Sequence, residues 1–164
     1  MNRKGFTLME LLLVVAVLAI VAAAAAPTFF GGAKDAMNEA RKSSFMSAYQ
    51  NTISGANMLV AVAASQGKTI VAGELKFTDS SSGTEKKLAD YVPVAARQFN
   101  IIDDTTTRAF TAKMGANNTV VVSYGTANGS DEPTNTTDIN VTTTVDAALT
   151  AAWKALNTTT YAQP

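Results

Sequence analysis

Residues 6–26 read FTLMELLLVVAVLAIVAAAAA, a run of 21 positions in which Glu10 is the only charged residue. As an α-helix this run is about 31 Å long at 1.5 Å per residue, which matches the roughly 30 Å of a bilayer's hydrocarbon core. Arg3 and Lys4 precede it, and basic residues beside a membrane segment hold that end in the cytoplasm. The run therefore predicts a transmembrane helix over residues 6–26.

The composition excludes several classes of function. The chain has 164 residues, about the length of one domain. Its 13 basic and 13 acidic residues cancel, so no excess charge indicates a nucleic-acid partner. It contains no cysteine and no histidine, which excludes disulfides, thiolate metal sites and the commonest general base. These absences remove most familiar hydrolase and metalloenzyme mechanisms. We expect no enzyme activity, no catalytic residue, no metal site and no cofactor.

An ordinary secretory signal is the alternative interpretation of the N-terminus. It would combine the basic residues, the apolar run and a small-residue cleavage site within residues 22–26, ahead of a secreted binding protein or enzyme. The apolar run is longer than the 7–15 residues of such a signal. Glu10 also lies inside it, and a carboxylate in a bilayer costs about 2.5–3.5 kcal/mol. Both features favour a retained helix.

The residues around Glu10 resemble the start of a known family. Residues 4–10, KGFTLME, followed by an apolar helix and Pro27, are similar to the N-terminal segment of the type IV pilins and the related pseudopilins. Met9 stands where the family more often has Ile, Leu or Val, which keeps the position apolar. The resemblance covers the first 27 residues well and extends loosely along a helix to about residue 65.

The resemblance implies a processing site and an assembly residue. A membrane prepilin peptidase would cut between Gly5 and Phe6 and methylate the new amine of Phe6, which leaves 11 basic and 13 acidic side chains, a balance of −2. Glu10 would then pair with the Phe6 amine of a neighbouring copy. Such a pair fixes register because misalignment leaves both charges buried without a partner.

The resemblance also implies partners and a location. The chain would sit in the inner membrane as a single-pass precursor and would then be extracted by an assembly platform and its ATPase into a homo-oligomeric surface filament. That filament would serve adhesion, twitching motility or DNA uptake. A pseudopilin of a type II secretion system is the alternative. The lack of cysteine departs from the many pilins with a C-terminal disulfide loop, which leaves the subfamily open.

The helix is predicted to continue past a weak stretch. Pro27 removes a backbone hydrogen-bond donor, and Gly31 and Gly32 each lower the stability of a helix by about 1 kcal/mol relative to alanine. We therefore expect a hinge, or a break into two helices, within residues 23–32. Apolar residues then recur at helical spacing until Gly67, which suits a C-cap. We predict a leader at 1–5, a membrane and filament-core helix at 6–26, its amphipathic continuation at 27–66 and a head at 67–164.

The head is predicted to be rich in strands, because 16 of the threonines fall in the last 60 residues and Thr prefers strands. The first part is predicted to contain extended segments at 69–72 and 75–78, a loop at 80–83 and a short helix within 88–99 that Pro93 breaks. A hairpin of 108–114 with 119–126 and a loop at 128–137 are predicted to follow. The last elements are predicted to be a strand at 139–145 and a helix at 147–156 that Asp146 caps. The predicted fold is α+β, a long N-terminal helix packed on a small antiparallel sheet.

Two further kinds of site are weighed in the head. Calcium is one candidate ligand of the head, because oxygen-bearing side chains cluster in it: Asp103, Asp104, Asn128, Ser130, Asp131, Glu132 and Asp138. Their spacing is not that of a calcium-binding loop. Five asparagines precede x-Ser or x-Thr: they are Asn117, Asn128, Asn135, Asn140 and Asn157. The acidic, extended context of Asn140 resembles a bacterial glycosylation acceptor, so Asn140 is the candidate among them.

Overall fold

The structure is a computed structural model that describes residues 8–73, 75–101, 105–139 and 145–157, without the side chains of residues 25–31, 117, 146 and 157. The chain divides into two compact units, Met1–Glu39 and Ala40–Pro164. The first unit contributes the beginning of a long helix, and the second contains the rest of that helix with the sheets.

The long helix, α1, spans Leu8–Ser65. It continues without interruption through residues 23–32, so the alternative of two separate helices is not found. Its C-terminus is closed by Gly67, which has a φ of +66°. The backbone nitrogens of Gly67 and Lys68 donate to the carbonyls of Ala64 and Ala63 at 3.0 and 2.9 Å, the hydrogen bonds of a Schellman motif. The predicted C-cap at Gly67 is therefore confirmed.

The described residues after α1 form two antiparallel sheets. The first is the ribbon of β1 (Lys76–Thr78) and β2 (Glu85–Lys87). The second has the order β3-β4-β5-β6, made of β3 (Gln98–Phe99), β4 (Arg108–Met114), β5 (Val120–Thr126) and β6 (Thr134–Asp138). Helix α2 (Leu88–Tyr91), two 3₁₀ turns (Val94–Arg97 and Ala116–Asn118) and α3 (Val145–Asn157) complete the described elements.

Most of the predicted head elements are confirmed. β4 and β5 pair from Arg108↔Thr126 to Met114↔Val120, as the predicted hairpin requires. Pro93 separates α2 from the first 3₁₀ turn, since its ring removes a backbone donor. The fold is α+β, with antiparallel sheets following a long N-terminal helix, as predicted.

Three local predictions are wrong. Residues 69–72 form no strand. The loop predicted at 128–137 ends early, because Thr134–Asp138 form β6, whose backbone pairs with β5. The strand predicted at 139–145 falls mostly on residues 140–144, which lie outside the described part of the chain. Asp146 is not a cap, because α3 already begins at Val145.

The core of the second unit is an aromatic cluster centred on Phe45 of α1. Its ring lies 4.9 Å from that of Phe99, 5.0 Å from Phe110 and 5.3 Å from Trp153. Aromatic pairs at these separations add about 0.5–1.5 kcal/mol each beyond the area they bury. Leu149 of α3 is fully buried in the same core. Trp153, which is partly buried, packs against this core from α3.

Candidate functional site

The most unusual surface of the described chain is the beginning of α1. Every side chain from residue 8 to residue 24 is exposed, and the large apolar ones range from 45% exposed at Val14 to 84% at Leu8. Soluble monomers rarely show a contiguous apolar surface of this kind, and where one occurs it marks contact with protein or membrane. Because the helix is apolar on all sides, it is suited to surroundings that are apolar on all sides.

Glu10 places one carboxylate on this surface. It lies in the first described turn of α1 and is exposed. Leu13, Val14 and Val17 follow at three, four and seven residues, which are the spacings of one helix face. The carboxylate therefore sits at the end of an apolar stripe, and the next charged residue in the chain is Lys34. A neighbour packed along this stripe would meet a single negative charge.

The remaining predicted assembly residues are described only in part. Gly5 and Phe6 lie outside the described residues. Pro27 and Gly31 belong to the backbone of α1, but their surroundings are not described. Among the described residues, no atom lies within 4 Å of the position that a Cβ at Gly32 would occupy, so none of their side chains requires a glycine there.

The described residues also bear on the predicted membrane span. Within them, no helix combines the length and the apolar character needed to cross a membrane. The transmembrane helix predicted for residues 6–26 includes residues 6 and 7, which the structure does not describe, and residues 25 and 26, whose side chains it does not describe. The transmembrane helix therefore stays a prediction.

The head uses two of the proposed calcium ligands for internal contacts. Glu132 accepts two hydrogen bonds from Arg97 at 2.6 and 3.1 Å. Asp138 accepts a hydrogen bond from the Ser123 hydroxyl at 2.6 Å and forms an ion pair with Lys113 at 2.7 Å. Both carboxylates therefore already have partners in the protein. In the part of the chain that is described, no group of three or more acidic residues could hold a metal ion, and Asp103, Asp104 and the glycosylation candidate Asn140 lie outside it.

These contacts shift the acidity of Asp138. Hydrogen bonds from Lys113 and then from Ser123 to the ionised carboxylate hold the pKa of Asp138 below its usual value. A second carboxylate, that of Asp79, has its pKa lowered mainly by hydrogen bonds from the backbone and side chain of Ser81. In both cases the ionised carboxylate is the acceptor of local hydrogen bonds, so its charged form stabilises the local structure.

Sequence reasoning did not find Arg97, the one charged residue among the fully buried side chains of the described chain. Besides its two bonds to Glu132, its guanidinium donates to the carbonyls of Phe110 at 2.6 Å and Val92 at 3.1 Å. Arginine is mostly exposed in proteins, so no local signal distinguishes this one. Its contacts tie the loop before β6 to β4 and to the end of α2, which makes it a structural residue of the head.

Comparison with known proteins gives one match. Residues 1–26 match the family model of the prokaryotic N-terminal methylation motif, which is the type IV prepilin-like signal segment and includes Gly5, Phe6 and Glu10. No curated protein and no solved structure matches the chain. The match covers the leader and the apolar run, and it supports a member of the type IV pilin or pseudopilin group.

Proposed function

We propose that this chain, whose residues 1–26 form a type IV prepilin-like signal segment, is a structural subunit of a type IV pilus. The observation that carries the proposal is the exposed apolar helix of residues 8–24 with Glu10 as its one charge. In this role the helix is inserted in the inner membrane as a precursor and later packs among the helices of other copies in a surface filament. Adhesion, twitching motility or DNA uptake would be functions of that filament.

Processing is the first step of the proposed function. The prepilin peptidase would cut after Gly5, where the absence of a side chain gives close access to the backbone, and would methylate Phe6. The intact mass of the mature chain tests this step, because a methylated start at Phe6 supports a pilin and a start near Ala25 supports a secretory signal. Gly5→Ala should lower processing only in part, whereas Gly5→Arg should leave uncut precursor. Normal mature protein from the Gly5→Arg variant would contradict the proposed cleavage site.

Assembly is the second step, and it gives Glu10 its role. Inside a bundle of apolar helices the ammonium of a neighbour's Phe6 needs a counter-charge, and Glu10 is the only acidic residue in the first 34 positions. Leaving one member of a buried pair without the other costs about 3–5 kcal/mol. A filament repeats that cost at every subunit, so the pair selects one register.

The decisive experiment measures assembly separately from insertion. Glu10→Ala should be inserted and cut like the original chain, because the leader and the Gly5-Phe6 junction are unchanged, yet its sheared surface fraction should fall sharply. Glu39→Ala is the matched control, since Glu39 is also an exposed acidic residue of α1. Glu10→Gln should assemble nearly as poorly as Glu10→Ala if the charge itself is needed. A normal amount of filament from Glu10→Ala would refute the role of Glu10.

The alternative function, a pseudopilin of a type II secretion system, shares the same N-terminal segment. Deletion of the gene separates the two functions. Loss of a surface fibre that contains this chain supports the pilus. Normal fibres together with secreted proteins retained inside the cell would support the pseudopilin and refute the pilus proposal. The assembly platform and ATPase are expected partners in either case.

A further inference from the structure

The loop before β6 contains the one Asn-Gly pair of the sequence, Asn128-Gly129. An asparagine followed by glycine is the pair in which the backbone nitrogen of the second residue most easily reaches the side-chain amide of the first, because glycine has no Cβ to obstruct the approach. The structure places both residues of this pair on the surface.

Both residues are exposed, and Gly129 has a φ of +62° with nothing within 4 Å of the position that a Cβ would occupy. The Asn128 carbonyl accepts a hydrogen bond from the Asp131 backbone nitrogen at 3.2 Å, which closes a turn over Gly129. Among the described residues, no group accepts a hydrogen bond from the nitrogen of Gly129. The nucleophile is therefore accessible.

The same turn favours the reactive form of the peptide. When the amide of Gly129 loses its proton, most of the negative charge falls on the Asn128 carbonyl oxygen, and the Asp131 N–H that already points at this oxygen stabilises that charge. Asn57 shows the contrast. It is also exposed, but it lies inside α1, where the following backbone N–H is used by the helix.

We propose that Asn128 is a site of spontaneous deamidation. The deprotonated nitrogen of Gly129 attacks Cγ of Asn128 and a new N–Cγ bond forms. The bond from Cγ to the side-chain nitrogen then breaks, and that nitrogen leaves as ammonia after taking up a proton from the solvent, which replaces the proton that the Gly129 amide gave up. Water then opens the resulting cyclic imide. Cleavage of the bond between the Gly129 nitrogen and Cγ gives aspartate at residue 128. Cleavage of the bond between the Gly129 nitrogen and the main-chain carbonyl carbon of residue 128 gives isoaspartate. No oxidant, reductant or enzyme takes part.

The product changes a loop that other contacts hold in place. The new carboxylate joins Asp131 and Glu132 and moves the balance of the whole chain from 13 − 13 = 0 to 13 − 14 = −1. Isoaspartate also adds an extra carbon to the backbone next to Gly129, whose carbonyl accepts a hydrogen bond from Gln98 Nε2 at 2.8 Å. The reaction further removes the acceptor asparagine of the sequence Asn128-Gly129-Ser130.

The test is incubation of the full chain, in detergent micelles and mildly alkaline buffer, followed by intact mass and peptide mapping. We expect a gain of about one dalton located at residue 128, before any change at Asn57, with one labelled oxygen taken up from heavy-oxygen water. Asn128→Gln is the matched control, because it keeps Gly129 and the turn but forms the larger ring far more slowly. Conversion in the urea-unfolded chain with none in the folded chain, or earlier conversion at another asparagine, would overturn the proposal.

Discussion

Removing the carboxylate of Glu132 should strongly destabilise the head, because it leaves the buried guanidinium of Arg97 without a counter-charge. Arg97 is 0% exposed, whereas the side chain of Glu132 is 40% exposed. Glu132→Ala deletes both hydrogen bonds between them. It also removes the acceptor of the Thr111 hydroxyl, which donates to Glu132 at 3.1 Å.

The magnitude follows from what remains around Arg97. Breaking a buried ion pair by removing one partner costs about 3–5 kcal/mol. In this variant Arg97 keeps its bonds to the carbonyls of Val92 and Phe110, and water can approach from the exposed side that Glu132 leaves. We therefore expect the lower end of the range, about 3 kcal/mol. That loss is a large part of the 5–15 kcal/mol by which folded proteins are stable.

The assay is urea unfolding of the full chain in micelles, followed by the fluorescence of Trp153, whose ring packs against Phe45 in the core. Glu85→Ala is the matched control, because Glu85 pairs with Lys76 at 3.3 Å on the surface, with side chains 56% and 41% exposed. Such an exposed pair contributes only about 0–1 kcal/mol. If Glu132→Ala and Glu85→Ala lower the free energy of unfolding equally, the reasoning about Arg97 is wrong.

Three further predictions concern glycines, acid and the hinge. Gly55→Ala should lower the free energy of unfolding by about 1–3 kcal/mol in urea titrations, because its Cβ would collide with Cγ2 of Val92. Gly32→Ala should lose no stability, because among the described residues no atom lies within 4 Å of its Cβ position. The pKa of Asp138 is lowered in the folded protein, so its ionised carboxylate contributes to the free energy of unfolding, by less than about 1 kcal/mol for so exposed a group. This contribution is present above the unfolded pKa of about 3.9 and is lost as the pH falls through the folded pKa. Asp138→Asn should therefore destabilise the head at neutral pH and match the original chain at strongly acidic pH. Hydrogen exchange in micelles should show less protection at residues 23–32 than at 11–20, because Pro27 and two glycines weaken the helix, and equal protection would show that no hinge exists.

The sequence alone determined the elements that depend on local patterns. The apolar run of residues 6–26 and the helical spacing after it predict α1, and Gly67 predicts its end, because these signals act between residues only a few positions apart. The β4–β5 hairpin is predicted for the same reason, since only residues 115–119 separate its two strands. The candidate site was also found in this way, because a single carboxylate in an apolar run is visible in the sequence.

Only the tertiary structure decided the features that depend on distant partners. β6 has no apolar alternation, since all five of its residues are exposed, and it forms because its backbone pairs with β5. Arg97 is buried because Glu132, 35 positions away, supplies its counter-charge. Gly55 is needed because Val92 packs against α1. In each case a hydrogen bond, an ion pair or a steric limit joins residues that no local pattern relates, so the physical cause exists only once the chain has folded.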